Sequence, residues 1–104
     1  MLTQEDAIKK ANAFVAEIIG AGVPIEQAFL FGSYSNGNFT EHSDIDLALV
    51  SKVFNGFGFE DRKLFSKINI KDEFMLIETK TYPTDYFISG DPFIEDVIKK
   101  GIEI

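Results

Sequence analysis

The stretch Asp44-Ile-Asp-Leu-Ala-Leu-Val50 leaves a chain like this few options. After Asp46 every residue is apolar, so an extended strand here offers neither face to water and belongs in the middle of a sheet covered on both sides. A shorter run, Gln27-Ala-Phe-Leu-Phe31, stops at Gly32 as a second buried strand would. Ser33 to Ser43 between them is polar, with Asn36-Gly37-Asn38 marking a turn. A link this short, with room for about one helical turn, favours antiparallel neighbours over a crossover. That arrangement puts Gly32-Ser33 and Asp44/Asp46 at the same end of the sheet.

The rest of the chain supplies cover for these strands. Thr3 followed by Asp6 resembles a capping box, and Ala7, Ile8, Ala11, Phe14, Val15, Ile18 and Ile19 recur at helical spacing up to Gly20 or Gly22. Lys52 to Phe59 reads as a loop whose Phe54, Phe57 and Phe59 fold back onto the core. Leu64, Phe65 and Ile68 give a helical stripe across Glu60 to Asn69. Phe74 to Thr81 reads as a third strand, with Glu78 among apolar neighbours. Thr84 caps a short helix through Phe87, and Asp91-Pro92 opens a helix carrying Phe93, Ile94, Val97 and Ile98, ending near Lys99-Lys100-Gly101. Ile102 to Ile104 suits either a tail or a short edge strand. Residues 1–104 together make one domain, since a chain of 104 residues with 45% apolar residues and eleven Phe fills one core and not two.

A net charge of −7 speaks against a broad nucleic-acid surface, which needs clustered Lys and Arg. Without cysteine there is no disulfide and no thiolate metal site. No run approaches the length of a membrane span, and Gln4-Glu5-Asp6 stands where a signal peptide would be basic, so a cytoplasmic protein is expected.

Residues two apart on a strand share a face, so Asp44 and Asp46 present two carboxylates side by side. Two like charges ~4 Å apart repel by ~4 kcal/mol at an effective dielectric near ~20. A divalent ion removes that penalty, and carboxylate oxygens with water positions left over suit Mg²⁺ completed by substrate phosphates. Glu78 on a neighbouring strand is the best third carboxylate, with Asp72 and Glu73 as competitors. Gly32 lets the backbone approach a phosphate closely, and Ser33 adds a hydroxyl. A Ser33–His42 pair working as a hydrolase is the weaker reading, because nothing around His42 marks it as a base for Ser33. His42, Tyr34 and Asn36 are read as loop residues.

Gly32-Ser33, ten residues, then Asp44-Ile45-Asp46 resembles the signature of the DNA polymerase beta-like nucleotidyltransferase superfamily. Ser43-Asp44-Ile45-Asp46-Leu47 has the form typical of its minimal nucleotidyltransferase (MNT) branch, and Ile77-Glu78, Tyr82-Pro83 and Lys100-Gly101-Ile102-Glu103-Ile104 are also similar to small members. The resemblance implies an α/β (α+β) fold, a small mixed sheet flanked by helices. It further implies a Mg²⁺-dependent transfer of a nucleotide, AMP from ATP foremost, to a hydroxyl. Gly32 and Ser33 would hold the triphosphate, Asp44 and Asp46 would ligate the metal, and Glu78 would ligate the metal and help activate the acceptor. Many small MNT proteins act as antitoxins on a partner HEPN toxin by modifying its tyrosine, so such a partner is implied too. The alternative is an antitoxin that neutralises its partner by occupancy. One departure stands out: many relatives carry an arginine just after Gly-Ser, where this chain has Tyr34-Ser35-Asn36.

Overall fold

Four strands lie in the order β3-β2-β1-β4, with β1 Gln27–Phe31, β2 Ile45–Ser51, β3 Ile77–Pro83 and β4 Ile102–Glu103. The computed structural model describes residues 2–104. As the apolar run requires, β2 is internal and almost wholly buried from Ile45 onward except at Asp46. It pairs antiparallel with β1, Leu30 opposite Leu47 and Phe31 opposite Asp46, and parallel with β3, Asp46 opposite Glu78. The sheet is therefore mixed. β4 pairs antiparallel with the outer side of β1, so the chain's last residues form an edge strand and not a tail.

One face of the sheet carries Ala28, Leu30, Ile45, Leu47 and Leu49 and packs under α1 (Gln4–Gly20), whose Ala7, Ala11, Phe14 and Ile18 are fully buried. Thr3 and Asp6 close both arms of the predicted capping box at 3.0 Å, so α1 starts where its sequence says. Phe14 meets Phe65 and Phe74 edge-on, at 5.9 and 5.3 Å between ring centres. Such pairs add ~0.5–1.5 kcal/mol each beyond their buried area. The opposite face carries Phe29, Ala48 and Val50 under α5 (Thr84–Phe87) and α6 (Pro92–Lys100). Asp91 caps α6 through the Phe93 amide at 2.8 Å, with Pro92 at the first helical position.

Five local expectations change. The stripe across Glu60 to Asn69 is broken into α3 (Gly58–Arg62) and α4 (Ser66–Asn69), because Phe65 leaves the helical range at φ −135° to put its ring against Phe14 and Phe54. The third strand begins at Ile77 and not at Phe74: Asp72–Phe74 is a 3₁₀ turn that buries Phe74. Within β3, Ile77, Thr79 and Thr81 point inward while Glu78 and Lys80 are exposed, so Glu78 is not enclosed by apolar residues. Of Phe54, Phe57 and Phe59 only Phe54 is buried; Phe57, and Phe59 inside α3, stand 72% and 71% exposed. Thr84 is the first residue of α5 and not its cap, and its hydroxyl donates to Glu26.

Candidate active site

β1 runs out at the same end of the sheet where β2 and β3 begin, so the three strands deliver their site residues to one edge. Gly32 leaves β1 at φ 75°, ψ −151°, a conformation open essentially to glycine alone. A Cβ at this position would collide with Asp46 Oδ2, so the Asp46 carboxylate lies directly against the Gly32 backbone. Gly32 then opens α2 (Ser33–Asn36), its carbonyl accepting from the Ser35 and Asn36 amides at 3.1 and 3.2 Å and from Ser35 Oγ at 2.9 Å. The first amides of any helix lack a carbonyl one turn behind them, which leaves those of Ser33 and Tyr34 without a backbone acceptor among the described residues. Gly32→Ala should therefore cost about 1–3 kcal/mol of backbone strain and also push Asp46 away. Urea melts of the two proteins check the first part; an unchanged midpoint would contradict the tight Gly32–Asp46 approach.

Asp46 and Glu78 are register partners on adjacent strands, so their side chains leave the sheet on the same face. The Asp46 carboxyl is held above the usual carboxylate range, first by burial, then by the negative charges of Glu78 and Asp44, with Lys80 partly offsetting them. Asp46 accepts no hydrogen bond and pairs with no cation among the described residues. Asp44 is exposed and lies just ahead of β2, so its place beside Asp46 is not set by strand register. Of the competitors for the third carboxylate, Asp72 and Glu73 are exposed in the 3₁₀ turn, and neither contributes to the field at Asp46. Glu78 is the one placed to act with it.

An oxygen-only set on a surface-opening edge, its inner member opposed by two like charges and lacking a donor, fits a hard divalent cation such as Mg²⁺. Among the described residues no three acidic or histidine side chains already converge as a closed ligand set. An ion would be held by Asp46 with Glu78 and Asp44, and completed by water and phosphate oxygens.

A hollow of about 300 Å³ opens beside Gly32, bounded by Phe31, Asn36 and Phe93. Phe31 and Phe93 meet edge-on at 5.9 Å, and Lys80 Nζ stands 4.7 Å above the Phe93 ring. Sequence reasoning singled out neither Lys80 nor Phe93 for the site; α6 brings Phe93 there from fifteen positions beyond Glu78, a juxtaposition no local pattern announces. A larger hollow, about 460 Å³, lies between Gln27, Phe87 and Glu103 toward the other end of β1, away from these carboxylates. Site chemistry and cavity size thus point to different places, and the chemistry decides.

Tyr34 is a correction. It is no loop residue but 1% exposed, stacked on Phe39 at 4.6 Å, while Gln4 Nε2 donates to its carbonyl at 2.8 Å and ties α1 to α2. A buried aromatic occupies the place just after Gly32-Ser33, so no cation stands there. His42 is 87% exposed beside Glu41 and makes no bond to Ser33, which leaves the hydrolase pairing without a base.

The profile of the nucleotidyltransferase domain family matches residues 8–104. A candidate protein adenylyltransferase of Methanocaldococcus jannaschii is 42% identical over 53 residues, which is half of this chain and half of that protein. A candidate nucleotidyltransferase from Sulfolobus solfataricus, solved by crystallography, superposes with a TM-score of 0.63 at 22% identity, covering 95% of this chain and 82% of that one. This last likeness shows the shared fold.

Proposed function

The chain belongs to the nucleotidyltransferase domain family, and from that premise we propose that it transfers AMP from ATP, with Mg²⁺, to a hydroxyl of a protein. The observation that carries this is Asp46, in register with Glu78 and pressed against the Gly32 backbone. Phosphate oxygens approaching Gly32-Ser33 would lie within reach of both carboxylates. Adenylyl transfer to protein is also what the M. jannaschii relative is named for.

In this reading Gly32 lets the Asp46 carboxylate lie against the backbone beside the triphosphate, and the Ser33 hydroxyl and the first α2 amides donate to the triphosphate oxygens. Asp44 and Asp46, with Glu78, would hold Mg²⁺, which supplies charge neutralisation on the phosphates. Glu78, the most exposed of the register pair, takes the acceptor's proton. The acceptor oxygen bonds to the α-phosphorus as the bond to the α–β bridging oxygen breaks, and pyrophosphate leaves with the electron pair. The acceptor assigned here is a tyrosine of a partner HEPN toxin in the cytoplasm, with this chain as antitoxin.

The buried Tyr34, where relatives carry arginine, favours a second reading in which the chain neutralises its partner by occupancy. Labelled ATP, Mg²⁺ and the product of the neighbouring gene separate the two. Label on a tyrosine of that product, located by mass spectrometry and absent with EDTA, is the expected result. Neutralisation without any label would favour occupancy.

A further inference from the structure

β3 is the outer strand of the sheet and pairs only with β2. The Ile45 amide donates to the Leu76 carbonyl at 2.8 Å, so alternation along the parallel ladder turns the peptide groups of Glu78, Lys80 and Tyr82 toward β2. Those of Ile77, Thr79 and Thr81 turn outward. Asn69 Nδ2 covers the Ile77 carbonyl at 3.3 Å, whereas the peptide groups of Thr79 and Thr81 meet no partner among the described residues. Thr79 and Thr81 are 9% and 6% exposed as whole residues, and the Thr79 hydroxyl is buried without a hydrogen bond among the described residues. Buried polar groups are nearly always paired, so this stretch of strand is short of partners.

The edge is also lined as a groove. A hollow of about 340 Å³ lies between Arg62, Glu78 and Thr79, and a second of about 250 Å³ between Arg62, Gly56 and Thr79 through Tyr82. They share Arg62 and Thr79, so the groove runs from the site carboxylate along the open strand. A third, of about 360 Å³, continues it past the exposed Phe57 ring. Arg62 is the only arginine of the chain and pairs with no acid among the described residues. Its guanidinium lies so close over Gly58 that a Cβ there would stand 2.6 Å from Nη1.

We infer that the open edge of β3 receives an extended segment of the acceptor protein, which adds as a further strand, brings its hydroxyl to Glu78 and sets an acidic side chain on Arg62. This rests on the transferase reading above. Alternating outward N–H and C=O groups are complementary to a peptide and to no nucleic acid, and the unpaired guanidinium supplies charge complementarity to a carboxylate. The donor half of the site lies on β1 and β2, so an acceptor arriving over β3 reaches Glu78 from the opposite side. The transferred AMP then bonds to the segment's hydroxyl oxygen, pyrophosphate departs, and the hydroxyl proton passes to Glu78.

The probe is a blocked hexapeptide, Glu-Val-Thr-Tyr-Val-Thr, with labelled ATP and Mg²⁺. It is compared with two versions N-methylated on alternate residues, one set of which must face β3. Methylation of that set is expected to raise KM about tenfold or more, and of the other set about twofold at most. Thr79→Pro should raise KM for the plain peptide similarly, since proline is tolerated on an edge strand where its nitrogen faces outward. It should leave MgATP binding unchanged. Arg62→Ala should weaken the Glu peptide and not its Gln version. Equal tolerance of both methylated sets overturns the inference, a result that needs no variant to fold. So does MgATP binding without peptide labelling, or a dimer of this chain in sedimentation that Thr79→Pro dissolves. Failure of the wild type to bind MgATP would instead overturn the transferase reading itself.

Discussion

Asp46→Asn should abolish nucleotide transfer, by about a thousandfold or more, and at the same time raise the melting temperature of the metal-free protein. The loss follows from the place of Asp46, against the Gly32 backbone and in register with Glu78, where on the proposed reading it would stand between the triphosphate and the acceptor. The gain follows from the same crowding. Burial and the charges of Glu78 and Asp44 make the folded carboxyl keep its proton to higher pH than the unfolded one does. The charged form therefore opposes folding: the cost is absent below the unfolded value and grows as pH rises toward and through the folded value. Asparagine carries no such charge. Calorimetry in EDTA should show the variant melting higher than wild type at pH 7 and level with it near pH 3. Added Mg²⁺ should reverse the order, because only the wild type gains from binding. A variant less stable than wild type at pH 7 in EDTA would mean that Asp46 supports the fold and is not held against it.

What the sequence made legible here is whatever is decided within a few neighbours. The apolar β2 run, the stop at Gly32, the Thr3–Asp6 capping box and the Asp91-Pro92 helix start each rest on contacts within a turn or a strand, and each has its structural counterpart. Glu78 was legible only because a third strand had to lie beside β2; its register with Asp46 comes from the parallel pairing. The misreadings at Phe65, Phe74 and Tyr34 have a common cause in aromatic packing. Phe65 breaks a plausible helix, Phe74 delays β3, and Tyr34 turns inward onto Phe39, all to satisfy rings elsewhere in the chain. Arg62 and Thr79 escaped notice for a related reason. A lone arginine and a strand threonine say nothing until the sheet order leaves β3 at the edge.

Asp61 is the clearest case of a residue invisible in sequence, and Asp61→Ala is expected to be the most destabilising polar substitution in the chain. The side chain is 2% exposed, yet it reads as one more acid in a charged helix start. Its oxygens accept from the Asn55 amide at 2.9 Å, the Gly56 amide at 3.0 Å and the Thr81 hydroxyl at 2.7 Å. One carboxylate thus pins the loop before α3 to the middle of β3. Alanine would leave the Thr81 hydroxyl buried without its acceptor and release a loop that otherwise has only Phe54 to hold it against the core. Bonds to a charged acceptor are worth ~1.5–3 kcal/mol each, but the two loop amides can turn to water once freed, so a net loss of ~3 kcal/mol is expected. That corresponds to a fall of ~12–24 °C in Tm. Asp61→Asn keeps one acceptor oxygen and should lose less. Thermal melts of the pair decide the matter: a loss under ~1 kcal/mol for alanine would assign the loop to the contact of Phe54 with Phe65 instead. The same pin holds Arg62 one residue away over the β3 groove, so Asp61→Asn should also weaken the acceptor peptide more than it weakens MgATP.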